Sequence, residues 1–485
     1  MNLSGVMPLP TTADLAPVLP EIVLCTAAFG LLLADLFVDA KRRGIIHFLA
    51  LLSLALTALL VVRGIGAEPV SVFGGMFVRD TLADVLKIAM CGVTALALAY
   101  ARPYLMTRGL LPGEFYPIVL FALVGMMVMV SAGNLVTLYL GLEMLALSSY
   151  ALVAIDRDSK RASEAAMKYF VLGALASGLL LYGMSMLYGA TGSLDLGAIH
   201  QAAASSADRS LLMFGLVFVL VGIAFKFGAA PFHMWVPDVY QGAPTAITLF
   251  IGSVPKIAAV GFAYRLLESG LGPTSEQWSM LVAWLAVLSL VIGNLLALAQ
   301  TNLKRMLAYS TVSHVGFLFM ALANGGDAGY SAAVFYAIAY AISAAAAFGA
   351  IVLMSREGFE AEEIADYKGL WSKSPFHATL ILLVMASLAG VPPLLGFWAK
   401  LEAIRAAVQA DLVWLAITGV VMAVVGAFYY LRVIKVMFFD EPERDMVAIS
   451  ADATLRFVFA ANAIALLGLG VFANLIMAWT RAAFA

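Results

Sequence analysis

Five of the eleven lysines, Lys87, Lys168, Lys226, Lys256 and Lys400, sit inside long apolar runs, and Glu143 sits in another, LVTLYLGLEMLALSSY. An uncompensated charge at the centre of a spanning helix costs about 2.5–3.5 kcal/mol, so these six groups unpaired would cost on the order of 15–20 kcal/mol, more than the net stability of an ordinary domain. They must be paired, hydrated or both. Burial weakens a lysine's hold on its proton and a nearby carboxylate strengthens it again, so a row of such lysines can exchange protons with water and with one another. His233 and His314 add groups that both donate and accept when neutral. The chemistry on offer is proton transfer through an apolar medium, in which a charge moved beside one lysine changes the affinity of another.

Depth sorts these residues. Helical rise puts Glu143 about 14 Å from Asn134 and Lys256 about 16 Å from Thr245, close to mid-membrane. Lys168 lies only about 6 Å beyond Glu164, so it reads either as an interfacial lysine reaching for water or as the cationic partner of Glu143. Lys226 precedes one Gly/Pro interruption and Lys400 follows another; the bland alternative for each is donation to the last carbonyls of a helix. For His233 and His314 the alternative to a relay is a satisfied core histidine. Lys304 and Arg305 read equally well as orientation signals near a helix end, Lys87 is expected to pair with Asp84 one turn away, and Asp35 is expected at the interface. Those residues stay outside the proposed site.

The elements that must position the site are membrane helices. The chain has 485 residues, 63% hydrophobic and 12% charged, against roughly 45–50% and about 25% in soluble domains. A net charge of −2 leaves no basic excess for nucleic acid, and the apolar runs are too long for barrel strands. The fold class is therefore an all-α polytopic membrane protein. Cys25 and Cys91 are far apart and in no CxxC spacing, and no glycine-rich phosphate loop follows a strand. No metal and no redox cofactor is expected on this chain. The start carries Asp14 and Glu21 and lacks the basic region of a signal peptide or the Arg-rich character of an import leader, so the first helix is expected to be retained.

Apolar windows place fourteen helices, near 17–38, 44–62, 80–100, 115–131, 134–154, 164–189, 210–243, 245–268, 277–299, 302–323, 330–354, 376–408, 411–438 and 454–480. One set of connections carries Lys41, Arg42, Arg43, Arg102, Arg108, Arg157, Lys160, Arg161, Lys304, Arg305, Arg356, Lys368, Lys373, Lys435, Arg444 and Arg456; the other keeps only scattered arginines such as Arg63, Arg79, Arg209 and Arg265. The positive-inside rule makes the first set cytoplasmic and both termini external. The acidic stretch 356–375 between two of these helices reads as a solvated face.

The segments 210–243 and 376–408 would run about 50 Å as straight helices, too long for about 30 Å of hydrocarbon. Gly228 and Pro231 should break the first, and Gly390, Pro392 and Pro393 the second. The two breaks are 161 residues apart at Pro231 and Pro392, and the helices starting near 134 and 302 are 168 apart. This gives helices 1–3 in 1–114, a five-helix unit at 115–268, its repeat at 277–438 and a last loop and helix in 439–485. Five spans per unit make the repeat inverted, and interrupted segments at matching places in inverted halves point to an ion site.

The stretches LYLGLEMLALSSYALVA, SEAAMKYFVLGALASGLLLYGMSMLYGATGS, GAAPFHMWVPDVYQGAPT, LKRMLAYSTVSHVGFLFMAL and SLAGVPPLLGFWAK cover most of 130 to 400. As a set they resemble the antiporter-like membrane subunits of respiratory complex I, the NADH:quinone oxidoreductase. Lys400 stands where the M-type branch would carry glutamate, and the chain ends too soon for the lateral helix of the L-type branch, which leaves the N-type branch. The resemblance implies a proton-pumping role for Glu143, Lys168, Lys226, Lys256 and Lys400, with His233 and His314 on the hydrated axis. Glu143 and Lys168 would modulate Lys226, the gated site, while Lys256 and His314 relay to Lys400, the terminal one. It also implies a place in the bacterial cytoplasmic membrane beside the antiporter-like subunit M and the small membrane subunits, with flavin, iron-sulfur clusters, NADH and quinone on other chains. The alternatives are a Mrp-type Na⁺/H⁺ antiporter subunit, which shares the Glu and Lys pattern, and a scaffold with no ion path.

Overall fold

Lipid offers backbone donors no partner, so the apolar runs close their hydrogen bonds internally as helices. A computed structural model of the chain describes residues 11–39, 43–205, 208–442 and 449–484; Lys41, Arg42 and Arg444 of the charge pattern lie outside them. In chain order the elements are α1 (Thr12–Leu15), α2 (Leu19–Asp35), α3 (Gly44–Val62), a hairpin of β1 (Val70–Val72) and β2 (Phe77–Arg79), α4 (Thr81–Thr107), α5 (Phe115–Val130), α6 (Leu135–Val153), α7 (Lys160–Thr191) and α8 (Leu196–Ser205). There follow α9 (Arg209–Phe227), α10 (Trp235–Gly242), α11 (Thr245–Ala263) with a π-helical continuation to Gly270, α12 (Ser275–Leu298), α13 (Leu303–Leu322) and α14 (Gly326–Met354). The last are α15 (Leu370–Lys373), α16 (Pro375–Ala389), α17 (Leu395–Gln409), α18 (Val413–Phe439), α19 (Ala453–Val471) and α20 (Ala473–Ala482).

Among the described residues, eleven helices are long and apolar enough to cross a membrane. The expected fourteen exceed that number by α5 and α16, which are short apolar helices, and by α13, which is long enough but too polar on the same measure. The span expected at 454–480 is two helices, α19 and α20, with Phe472 between them. The expected breaks fall where glycine and proline put them: α9 stops at Phe227 before Gly228, and α16 stops at Ala389 before Gly390.

Polar side chains fix the helix starts. Asp80, Asn134, Ser159, Asp208, Asn302 and Asp452 each accept from a backbone N–H in the first turn of the helix they cap. Asn134 also bridges to Asp195, on the face that carries the hairpin, where Val78 N donates to Ser131 O at 2.7 Å. Asn302 bridges instead to Glu363, in the loop after α14 on the opposite face. Through the centre run α11 and α14, with 100% and 94% of their most apolar windows buried, so these two are enclosed by protein all round. Most of the other spans turn an apolar face outward, as lipid-facing helices do.

Two expectations about charge are corrected. Lys87 does not pair with Asp84: its Nζ lies 2.6 Å from Glu21 on α2, both side chains at most 4% exposed, while Asp84 takes Arg79 at 3.3 Å. The lysine's reach favours a neighbouring helix over its own preceding turn. Nor is the acidic stretch after α14 simply a solvated face. Glu360 accepts from Tyr104 (2.9 Å), Arg108 (2.7 Å) and the Thr245 hydroxyl, and Glu362 takes both arms of Arg161 (2.7 and 2.9 Å). With Asn302 donating to Glu363 at 3.0 Å, this loop ties together the ends of α4, α7, α11 and α13.

Breaking a buried ion pair leaves a bare charge. Either Glu21→Gln or Lys87→Met should therefore cost about 3–5 kcal/mol, and Glu21→Leu with Lys87→Met far less. Thermal unfolding of the purified membrane complex checks this; additive losses in the double variant would contradict it. For the loop, burial pushes the Glu362 carboxyl up, but the bonds from Arg161 and the charges of Arg161 and Lys304 outweigh it and hold the group below its ordinary value. Its contribution is complete above the unfolded value of about 4.3 and is lost as pH falls through the lower folded value. Amide exchange across 355–369, corrected for intrinsic rate, should rise between about pH 6 and about pH 3.5, and Glu362→Gln should remove the difference. Equal protection of the wild type at both pH values would contradict the clasp.

Candidate functional site

A helix that stops inside the membrane leaves its last carbonyls without donors and its negative dipole end in an apolar medium. Among the described residues, two such ends are closed by lysines at the chain's glycine breaks. At the first, Gly228 takes φ 75°, and a side chain on it would meet Val236 and approach Lys256. Lys256, reaching across from α11, donates its Nζ to Phe227 O at 2.5 Å, with its charge 5.6 Å from the Trp235 ring. The indole of Trp235 takes Phe225 O at 3.0 Å, and the freed Ala230 N–H goes to the Ser289 hydroxyl of α12 at 2.9 Å. The second end repeats the solution. Gly390 takes φ 91°, Lys400 of α17 donates to Leu388 O (2.9 Å) and Ala389 O (3.0 Å), and Gly396 N donates to Ser387 Oγ at 3.2 Å. Both ammonium groups sit where a helix end favours a cation, and both are buried, Lys256 at 2% and Lys400 at 7% exposure.

The carbonyl-capping alternative thus describes Lys400, and it also describes Lys256, for which it was not anticipated. Lys226, beside the break in sequence, is half-buried and lines a cavity of about 30 Å³ together with Glu143, Tyr150 and Ser177. That is room for about one or two waters. Glu143 accepts from the Ser177 hydroxyl, which also reaches Tyr139 at 3.2 Å.

Lys168 is not the partner of Glu143. It is exposed and bonded to Glu164 and Asp238, each at 2.9 Å. Asp238, on α10, is shared with Arg305 at 2.9 Å, and Lys168, Glu164 and Asp238 edge a recess of about 120 Å³ with Arg161 and Gln241. The anticipated closeness fails because Lys168 projects toward the loop face while Glu143 lies deeper on α6. Lys304 is also more than an orientation signal, since its buried Nζ donates to Ala243 O at the end of α10.

His233 is buried within the first break, its ring 6.4 Å from that of Tyr309. His314 sits in a network that the sequence did not announce. Its Nδ1 is 2.7 Å from Tyr336 OH on α14 and its Nε2 is 3.1 Å from Tyr430 OH on α18, which also bonds Ser310. Tyrosines on apolar helices are usually core residues, and the only hint available was the one-turn spacing of Ser310 and His314. A cavity of about 10 Å³ beside His314 is lined by Tyr336, Ser387 and Leu388, so it adjoins the carbonyl that holds Lys400. Toward the hairpin face a wider recess of about 590 Å³ is lined by Asp327, Glu402, Arg405 and Arg481. Among the described residues no group of His, Cys, Asp or Glu is arranged to hold a metal, and Cys25 and Cys91 are thiols.

Comparison with known proteins shows the family and the fold. Residues 132–426 match the model of the family described as NADH:quinone oxidoreductase/Mrp antiporter, TM. A protein of Xanthomonas euvesicatoria pv. vesicatoria named NADH-quinone oxidoreductase subunit N is 57% identical over 98% of this chain and 97% of its own, and one of the same name from Alkalilimnicola ehrlichii is 52% identical over 97% of each. Among solved structures, a chain of respiratory complex I from Thermus thermophilus superposes with TM-score 0.80 at 32% identity, covering 95% of this chain and 98% of that one. A chain of the Mrp complex from Dietzia sp. superposes at 0.84 with 22% identity, covering 98% and 97%, a likeness of fold. The chain belongs to the NADH-quinone oxidoreductase subunit N family, within the wider family of NADH:quinone oxidoreductase and Mrp antiporter membrane subunits.

Proposed function

We propose that the chain is a proton-translocating membrane subunit of a respiratory NADH:quinone oxidoreductase, carrying no redox centre of its own. It works beside other membrane subunits of that complex, with NADH, flavin, iron-sulfur clusters and quinone held elsewhere. Its setting is a bacterial cytoplasmic membrane with both termini on the outer side, and its halves are the inverted units 115–268 and 277–438. The observation that carries the reading is the way Lys256 and Lys400 are held: by carbonyl oxygens of broken helices, deep in the protein. A lysine on a carboxylate, such as Lys87 on Glu21, is locked in its charged form, because losing the proton strands the anion. A lysine on carbonyls can release its proton and leave only neutral acceptors behind.

The proton path then runs through the first break and the second. Glu143 faces Lys226 across a cavity with room for water and sets its affinity, so a charge change at Glu143 loads or unloads Lys226. Lys256 receives the proton at the first helix end, with His233 in the same break. His314 passes it on to Lys400 at the second. Lys168 acts through Asp238 on α10 instead of through Glu143, linking the second half of the broken helix to the loop face.

In the assembled complex, Glu143→Ala and Lys226→Ala should each cut protons pumped per NADH oxidised by about tenfold or more, while oxidation of NADH with an artificial acceptor stays at the wild-type rate. Wild-type pumping by the two assembled variants would overturn the proton-path reading. Purification separates it from the antiporter alternative: co-purifying flavin and NADH:quinone activity support it, and cation exchange with no redox activity supports an antiporter.

A further inference from the structure

We propose that Tyr336 and Tyr430 are the relay residues that deliver the proton to His314 and take it away, an inference that rests on the proton-path reading above. The imidazole is enclosed, with both ring nitrogens spent on phenol oxygens: Nδ1 at 2.7 Å from Tyr336 and Nε2 at 3.1 Å from Tyr430. Both phenols, Ser310 and His314 are buried, so the ring has no direct access to open solvent. Any proton that passes through His314 must therefore cross these hydroxyls. They come from three different helices, α13, α14 and α18, and lead to different places. Tyr430 continues to Ser310, one turn of α13 toward the loop face. Tyr336 lines the small cavity that also touches Leu388, whose carbonyl holds Lys400.

The neutral ring has one N–H and one bare nitrogen, so the chain has a direction. In one state Tyr430 donates to Nε2 and Nδ1–H donates to Tyr336. In the other, Tyr336 donates to Nδ1 and Nε2–H donates to Tyr430. Transfer starts from the first state. The Tyr430 O–H breaks as an N–H forms at Nε2, and Tyr430 is refilled from the Ser310 hydroxyl, which takes up the incoming proton from the first break. The Nδ1–H passes to Tyr336 as Tyr336 gives its own proton to a water in the cavity or to the neutral amine of Lys400. Each bond broken is matched by one formed, and neither tyrosine need persist as an anion. The ring is left as the opposite tautomer, so the imidazole as well as the hydroxyls must reorient before the next proton. Tyr340 supplies the contrast: its ring lies 4.9 Å from the same imidazole, but its hydroxyl goes to Thr311 at 2.7 Å.

The test uses the whole complex in vesicles, with Tyr336→Phe, Tyr430→Phe, Tyr340→Phe and His314→Ala. Each Phe variant keeps the ring and removes one hydroxyl. Tyr336→Phe and Tyr430→Phe should lower protons pumped per NADH by about tenfold, as a missing relay group does, while Tyr340→Phe pumps as wild type. If His314→Ala fails and the Tyr336 and Tyr430 variants pump normally, the relay is overturned and the proton path stands. If His314→Ala pumps normally, the path through this half fails with it. Should either Phe variant not assemble, 2,3-difluorotyrosine at the same position keeps ring and hydroxyl and makes the phenol more acidic. The relay then requires a changed pumping rate in H₂O relative to D₂O; an unchanged ratio overturns it.

Discussion

The structure turns on one electrostatic problem, a helix end inside a membrane, solved twice by an ammonium group. Phe227 O and the carbonyls of Leu388 and Ala389 point into an interior that cannot hydrate them, and Lys256 and Lys400 supply the missing donors together with a cation for the dipole. Remove the breaks and the lysines become unpaired charges in apolar helices; remove the lysines and the breaks become bare carbonyls. Each makes the other tolerable, so neither half of the arrangement has a purely structural or purely functional purpose.

The rest of the fold keeps that arrangement enclosed and in register. The two enclosed helices contribute Lys256, from α11, and Tyr336, from α14, so two polar groups of the path lie on the most completely covered elements. Charges that must not move are paired tightly and nearer the edges: Glu21 with Lys87, Asp80 with Arg265 at 2.7 Å, and Glu362 with Arg161. Other helix ends are closed by fixed cations, as where Arg432 takes Leu298 O at 3.0 Å beyond α12. Burial does not separate scaffold from path, because Lys87, locked on Glu21, is as buried as Lys256, and Lys304, held by Ala243 O at the end of α10, is as buried as either.

The breaks were legible in the sequence because glycine and proline act locally: Gly228 and Gly390 sit within a residue of the helix ends that they terminate. Glu143 was legible because a carboxylate in an apolar run has few innocent explanations. Partnership was not legible, since it depends on which helices lie side by side. Lys226 is next to the first break in sequence, yet the lysine that closes that break comes from α11, twenty-nine residues from the carbonyl it holds. The same blindness paired Lys87 with Asp84, left Lys168 open between the interface and Glu143, and gave the acidic loop to solvent, when Glu21, Asp238 and Arg161 were the partners. The tyrosines around His314 left even less trace, since a hydroxyl facing inward and one facing lipid are the same letter.

Lys400→Arg puts the central claim to the most direct test. Arginine keeps the positive charge and the donors that the Leu388 and Ala389 carbonyls need, but it cannot give up its proton in a protein. If Lys400 both closes the helix end and carries the transferred proton, the variant complex assembles with wild-type thermal stability and pumps few protons per NADH. Full pumping by the arginine variant would show that position 400 does no more than cap a helix.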